Sequence, residues 1–209
     1  GAGQMGGGIA HVCALAGFEV KLNDIEVERI KAGIATINGN MARQVRKKTI
    51  SEEDRQSALK RIAAAERYED LGDCDLVIEA ATEKEDVKRG IYTKVCPLLK
   101  PDAIVGSNTS SISITRLAAS TDRPERFIGI HFMNPAPLME LVELIRGMAT
   151  TDPTFEATKQ FVAKLGKTSA VSEDFPAFIV NRVLMPMINE AIYTLYEGVG
   201  TVDAIDTAM

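Results

Sequence analysis

Gly1-Ala2-Gly3-Gln4-Met5-Gly6, with Asp24 standing 18 positions after Gly6 at the end of Glu19-Val20-Lys21-Leu22-Asn23, is the stretch on which the reading of this chain turns. The glycines spell G-x-G-x-x-G. In such a turn the first glycine permits a tight bend, the second lets backbone approach a pyrophosphate, and the third lets the next helix pack closely. The helix that follows, Met5–Ala16, aims its free amides and partial positive charge at the phosphates. Glycine-rich turns are common, so the motif takes its weight from Asp24. A carboxylate at the end of the next strand can accept both hydroxyls of an adenosine ribose and repels a 2′-phosphate. Turn and acid together read as a dinucleotide site, for NAD rather than NADP. The plainer alternative makes Asp24 the cap of a helix from Val27 onward.

Outward from this turn, short β-branched runs alternate with longer helical patterns, as in βαβ units around a parallel sheet. The strands are expected at Glu19–Asn23, Asp75–Ala80, Ala103–Ser107 and Phe127–Phe132, with a further short one at Thr168–Ser172. DLVIEA, AIVGS and FIGIHF are nearly all apolar, as befits strands covered on both faces. Helices are expected at about Met5–Ala16, Val27–Arg46, Glu52–Ala65, Lys84–Leu99 and Pro153–Leu165. From Asp174 the texture changes. Phe175-Pro176-Ala177-Phe178 opens an apolar helix running to about Leu195, and Val202–Met209 starts another. Residues 1–174 therefore read as an α/β, Rossmann-type domain with a mostly parallel sheet and helices on both faces. Residues 175–209 read as the start of an all-helical domain. The strand that should precede the glycine turn is missing, and 35 residues of helix are too few to hold a core alone, so both ends look cut short.

Composition narrows the function. The 209 residues carry 24 Lys+Arg against 29 Asp+Glu, a net charge of −5, and no Trp, which disfavours a dedicated nucleic-acid binder. No apolar run reaches the roughly 18 residues of a membrane span. Cys13, Cys74 and Cys96 are odd in number and widely spaced, which fits free thiols in a reducing compartment such as the cytoplasm. No GxSxG and no helix-borne pair of histidines is present, so serine-hydrolase chemistry and a metal site are disfavoured.

Two histidines exist. His11 lies inside the first helix and reads as a packing residue. His131 ends an apolar strand, with Asn134, Pro135 and Pro137 just beyond it. Open α/β sheets bind ligands at the carboxyl ends of their strands, and imidazole is the side chain best suited to exchange a proton near neutral pH. A hydrogen-bonded interior histidine is the competing reading. Ser107-Asn108-Thr109-Ser110-Ser111 follows the neighbouring strand and would share that sheet edge, although such a cluster also caps a helix, here Ile112–Ala119.

Taken together, GAGQMGGGIA, LVIEAATEKEDVK, SNTSSISIT, IGIHFMNPAPLMELVELI and FIVNRVLMPMINEA resemble the 3-hydroxyacyl-CoA dehydrogenase family, in order and over essentially the whole chain. Within it the chain looks most like the short-chain 3-hydroxybutyryl-CoA dehydrogenases. The resemblance implies an NAD-binding Rossmann domain followed by a helical domain that forms a homodimer, acting on an acyl-CoA thioester. It implies that His131 is the catalytic base and Glu143 the carboxylate that orients it. Ser110 and Asn181 would hydrogen-bond the substrate near its reacting carbon and thioester. Gly1, Gly3, Gln4, Met5, Gly6, Asp24, Glu83, Lys88, Asn108, Ser110 and Asn134 would line the dinucleotide. Lys47 lies near a family lysine that contacts the nucleotide part of CoA. Around it, Val27–Lys48 carries six basic residues and one acid, with Arg43, Arg46 and Lys47 on one helix face; a solvated charged face is the plainer reading. Two functional rivals stand beside this: a non-catalytic NAD-binding protein on the same scaffold, and another β-hydroxyacid dehydrogenase, a group that generally uses a lysine where His131 stands.

Overall fold

A computed structural model describes all 209 residues. In chain order the elements are α1 (Gln4–Leu15), β1 (Val20–Asn23), α2 (Val27–Arg46), α3 (Glu52–Lys60), β2 (Ile62–Ala65), β3 (Leu76–Glu79), α4 (Glu85–Val95), β4 (Ile104–Ser107), α5 (Ile114–Ala118), β5 (Phe127–Phe132), β6 (Leu141–Arg146), α6 (Asp152–Lys164), β7 (Thr168–Glu173), α7 (Val180–Tyr196) and α8 (Val202–Ala208). The strands form a five-stranded sheet ordered β3-β4-β5-β6-β7 and a separate parallel pair, β1-β2. All pairings are parallel except β5 with β6. Helices cover both faces. On one, Tyr92 and Val95 of α4 and Ile114 and Leu117 of α5 pack with Phe127 and Ile145. On the other, Ile9 and Val12 of α1 and Phe155 and Val162 of α6 pack with Ile128, Ile130, Phe132, Val142 and Leu144. Every residue of β5 is buried, which accounts for its unbroken apolar run.

Four expectations need correction. The helix expected over Glu52–Ala65 ends at Lys60, and Ile62–Ala65 become β2. Three alanines favour helix intrinsically, yet parallel pairing of this run with β1 outweighs that small preference. Lys84–Leu99 is not one helix: α4 closes at Val95 into a 3-10 turn at Cys96–Leu98, where Pro97 interrupts it. The helix expected from Phe175 begins only at Val180, because Ala177 and Phe178 adopt left-handed backbone with φ of 66° and 55°. β6 falls in a segment with no expected element, and it runs antiparallel to β5, which places Glu143 opposite His131 in the register.

Candidate active site

The site stands at the carboxyl ends of β3, β4 and β5, where an open α/β sheet receives its ligands. At the glycine turn the fit to a dinucleotide is steric. A Cβ on Gly6 would lie 1.7 Å from the Gly1 carbonyl oxygen, so only glycine allows this approach, while the space beside Gly3 is open. Gly3 caps α1 without a side-chain hydrogen bond, and α1 has no acid in its first turn. Its orphan amides are thus left for an anionic ligand. Asp24, half-buried at the end of β1, accepts hydrogen bonds from the amides of Ala2 (2.7 Å) and Ile25 (2.8 Å), which fixes the carboxylate beside the turn. Gln4 donates to Asn134 at 3.0 Å, tying the start of α1 to the loop after β5, and Met5 is half-buried beside it. The cleft opening on this turn measures about 1910 Å³ and reaches Leu22 of β1, Ile78 of β3 and Pro135, Pro137 and Leu138 beyond β5. His131 is outside its lining. Arg43 of α2 and Lys47, which caps its C-terminus, are exposed along its rim.

Under the Ser107–Ser111 loop lies a buried charged network. Glu79 accepts from Lys88 Nζ (2.7 Å), the Ala81 amide (2.6 Å), Tyr92 Oη (2.6 Å) and Ser107 Oγ (2.8 Å). Burial, with the Glu79 charge beside it, pushes the Tyr92 phenol far up, so it stays a donor. Lys88 is itself buried and reaches Glu83 at 3.5 Å, so it meets the Ser110 loop through Glu83. Glu83 Oε1 in turn gathers donors from the Thr109 hydroxyl (2.5 Å), the Ser110 amide (2.9 Å) and hydroxyl (3.3 Å), and the Ser111 amide (3.1 Å). Burial would raise the Glu83 carboxyl; these donors and the Lys88 charge outweigh it and hold the group low. Asn108 closes the edge by accepting from the Phe132 amide at 2.9 Å. Sequence reasoning passed over Glu79 and Tyr92, and took Ser107 only as the start of the polar loop. Their signal was a lone acid in the apolar run LVIEA, with Lys88 and Tyr92 one helical turn apart downstream.

His131 and Glu143 face each other across the antiparallel β5–β6 pair. Nδ1 of His131 lies 2.7 Å from Glu143 Oε2, and Glu143 Oε1 accepts from the amides of Ile179 (3.0 Å) and Val180 (2.9 Å) at the start of α7. Burial favours the neutral carboxyl, but the His131 ring and those two amides outweigh burial and hold Glu143 below the usual glutamate range. An ionised carboxylate only accepts, so Nδ1 carries the proton of this bond and Nε2 is the free nitrogen. Asn181, one residue into α7, donates to the Ser110 carbonyl at 3.4 Å and so joins the loop to the helix. The structure thus brings His131, Glu143, Ser110 and Asn181 together and keeps Lys47 apart at the C-terminal cap of α2. His11 is buried between α1 and α2 with Nε2 2.9 Å from Gln44 Oε1, a packing position. The three cysteines are free, no three His, Cys, Asp or Glu side chains are grouped to hold a metal, and no helix is long and apolar enough to cross a membrane.

This geometry agrees with what the chain is similar to. The family model described as 3-hydroxyacyl-CoA dehydrogenase, NAD binding domain, matches residues 1–175, and the model of the C-terminal domain matches residues 178–209. A 3-hydroxybutyryl-CoA dehydrogenase of Bradyrhizobium diazoefficiens is 75% identical over all 209 residues, which span 71% of that protein. The 3-hydroxybutyryl-CoA dehydrogenase of Clostridioides difficile is 38% identical, with the whole chain covering 74% of it. Among solved structures, the (S)-3-hydroxybutyryl-CoA dehydrogenase of Ralstonia eutropha superposes with a TM-score of 0.94 at 46% identity, covering 98% of this chain and 72% of that one. With its glycine turn, Asp24 and the paired His131 and Glu143 in the places described, the chain belongs to the 3-hydroxyacyl-CoA dehydrogenase family.

Proposed function

We propose that the protein interconverts (S)-3-hydroxybutyryl-CoA and acetoacetyl-CoA, with His131 as the group that takes or returns the hydroxyl proton. NAD-dependent oxidation of 3-hydroxyacyl-CoA thioesters comes with the family; the four-carbon acyl group and the roles of single residues are the proposal. The observation that carries it is the 2.7 Å bond between His131 Nδ1 and Glu143. It orients the ring, leaves Nε2 to accept a proton, and places a negative charge where the imidazolium will form. NAD, when bound, would accept the hydride that leaves C3 of the substrate; the protein supplies position and electrostatics. Ser110 would hold the reacting oxygen and Asn181 the thioester carbonyl. Gly1, Gly3, Gln4, Met5 and Gly6 would cradle the pyrophosphate and Asp24 the ribose, while Glu83, with Lys88 behind it, Asn108 and Asn134 line the far half of the dinucleotide. The exposed Arg43 and Lys47 would meet the phosphates of CoA, offsetting the acidic character of the whole chain.

Two wider readings go with this. The boundary between the nucleotide domain and the helical domain falls at residues 174–175. The helical part pairs with a second copy: no residue of α7 is buried, and Val183, Ile188, Ile192 and Leu195 stand exposed on it, more apolar surface than a solvated helix carries. Sedimentation as a single-chain species would remove that reading. Three free cysteines favour a reducing compartment, which we take to be the cytoplasm.

The direct assay follows NADH loss with acetoacetyl-CoA. The protein turns over, and His131→Gln loses on the order of 10²–10⁴ in kcat. No turnover of the four-carbon thioester would remove the substrate assignment, and full activity of His131→Gln would remove the histidine.

A further inference from the structure

The segment between β7 and α7, residues 174–179, contributes one amide, that of Ile179, to the arrangement above, yet it touches α5, His131 and Glu143. Asp174 accepts from the Ser113 hydroxyl (2.7 Å) and from the amides of Ile114 (2.9 Å) and Thr115 (2.8 Å), fastening the helix that follows the Ser110 loop. Ala177 and Phe178 then take two consecutive left-handed conformations, which side chains of L-residues rarely accept. This tight reversal does three things. It buries the Phe178 ring to 3% exposure. It sets that ring edge-on to His131, with centroids 6.0 Å apart and planes inclined by 60°. It also turns the next two amides onto Glu143. A strained backbone persists only where its surroundings over-determine it, and here the strain coincides with the contacts that fix the histidine–glutamate pair.

We propose that Phe178 is a positioning residue: its ring, seated by the left-handed reversal at residues 177–178, holds the His131 imidazole and the α7 amides in register on Glu143. The proposal rests on the reading of His131 as the proton carrier. The one titratable group in contact with the imidazole is Glu143 from β6; the junction presents to it only the aromatic ring, since the Asp174 carboxylate is turned toward α5. Removing the ring therefore leaves the pair's charges in place and loosens their geometry, and a displacement of about 1 Å at a reacting group costs about 100-fold in rate.

The test compares Phe178→Ala and Phe178→Leu with Phe155→Ala, which removes a buried ring from α6 on the other side of the sheet, and with His131→Gln. Each is measured for kcat and thioester KM in both directions, for NADH affinity, for Tm, and for the pH dependence of kcat. Phe178→Ala is expected to lose about 10-fold to 100-fold in kcat with its pH profile displaced, NADH affinity unchanged, and Phe178→Leu recovering part of the rate. Phe155→Ala is expected to lower Tm with the pH profile unmoved. If Phe178→Ala, or Phe178→Leu where the alanine variant fails to fold, keeps the wild-type rate and profile while His131→Gln is inactive, the positioning role is wrong and the histidine assignment stands. If His131→Gln is active, the underlying reading fails instead.

Discussion

Glu79, at the end of β3, and Glu143, inside β6, are both buried carboxylates with both oxygens hydrogen-bonded, yet their partners differ in kind. Glu79 is closed in by an ammonium, a phenol, a hydroxyl and an amide. Each of its oxygens is filled by two of these donors, so the cluster is a fixed floor under the Ser110 loop. Glu143 has two amides on one oxygen and an imidazole on the other. Among side chains, imidazole is the type best suited to take up and return a proton near neutral pH. On the proposed reading, a buried carboxylate joins the chemistry through the partner it is given; depth alone does not decide it.

The comparison breaks first at Glu143. Glu143→Gln keeps the shape of the side chain but allows the amide to donate to Nδ1, which stabilises the tautomer whose Nε2 is already protonated. The loss in kcat is expected to reach about 10⁴-fold, as when the aspartate of the serine-protease triad becomes asparagine. The stability of Glu143 itself depends on pH in a definite sense. Its carboxyl is held low in the fold, so above the ordinary glutamate range it contributes stability, and that contribution is lost as pH falls through the folded value. Chemical denaturation of wild type and Glu143→Gln between pH 3 and pH 7 checks this; the variant's stability should fall less steeply toward acid.

At the other carboxylate the prediction is reversed, with stability moving and the pH profile of activity staying put. Lys88→Met leaves Glu79 buried without its cation and should lower stability by about 3–5 kcal/mol. Urea midpoints measure this, and a variant as stable as wild type would mean the network is not a support. A third carboxylate, Asp24, sharpens the contrast because it is half-exposed and held by two amides alone, with lone pairs left for a ligand. Asp24→Ser should raise the NADPH-to-NADH ratio of kcat/KM about tenfold or more, equivalent to about 1.4 kcal/mol. An unchanged ratio would remove Asp24 from the cofactor site.

The parts of this site legible in the sequence are those written in local patterns. The glycine turn is legible because only glycine fits at Gly1 and Gly6, and the acid after β1 because its offset follows from one βαβ step. His131 stands out as a polar residue ending an apolar strand. What escaped depends on pairing between distant segments. β2 is an alanine-rich run whose intrinsic preference is helical, and only its neighbour β1 makes it a strand. β6 carries Glu143 in a run that no pattern assigns; its role was reached through family resemblance, and its physical reason is the antiparallel register that sets it opposite His131. Phe178 was read as the opening of a helix. Its actual conformation is imposed by contacts from three other elements, none adjacent to it in sequence.

The central claim, that one histidine carries the proton in both directions, is tested most directly by kcat/KM against pH for oxidation of 3-hydroxybutyryl-CoA and for reduction of acetoacetyl-CoA. Oxidation needs the neutral imidazole and reduction the protonated one. The account predicts opposed profiles, oxidation rising and reduction falling over the same interval, with both limbs absent in His131→Gln. Parallel profiles, or limbs that survive the loss of His131, would contradict it.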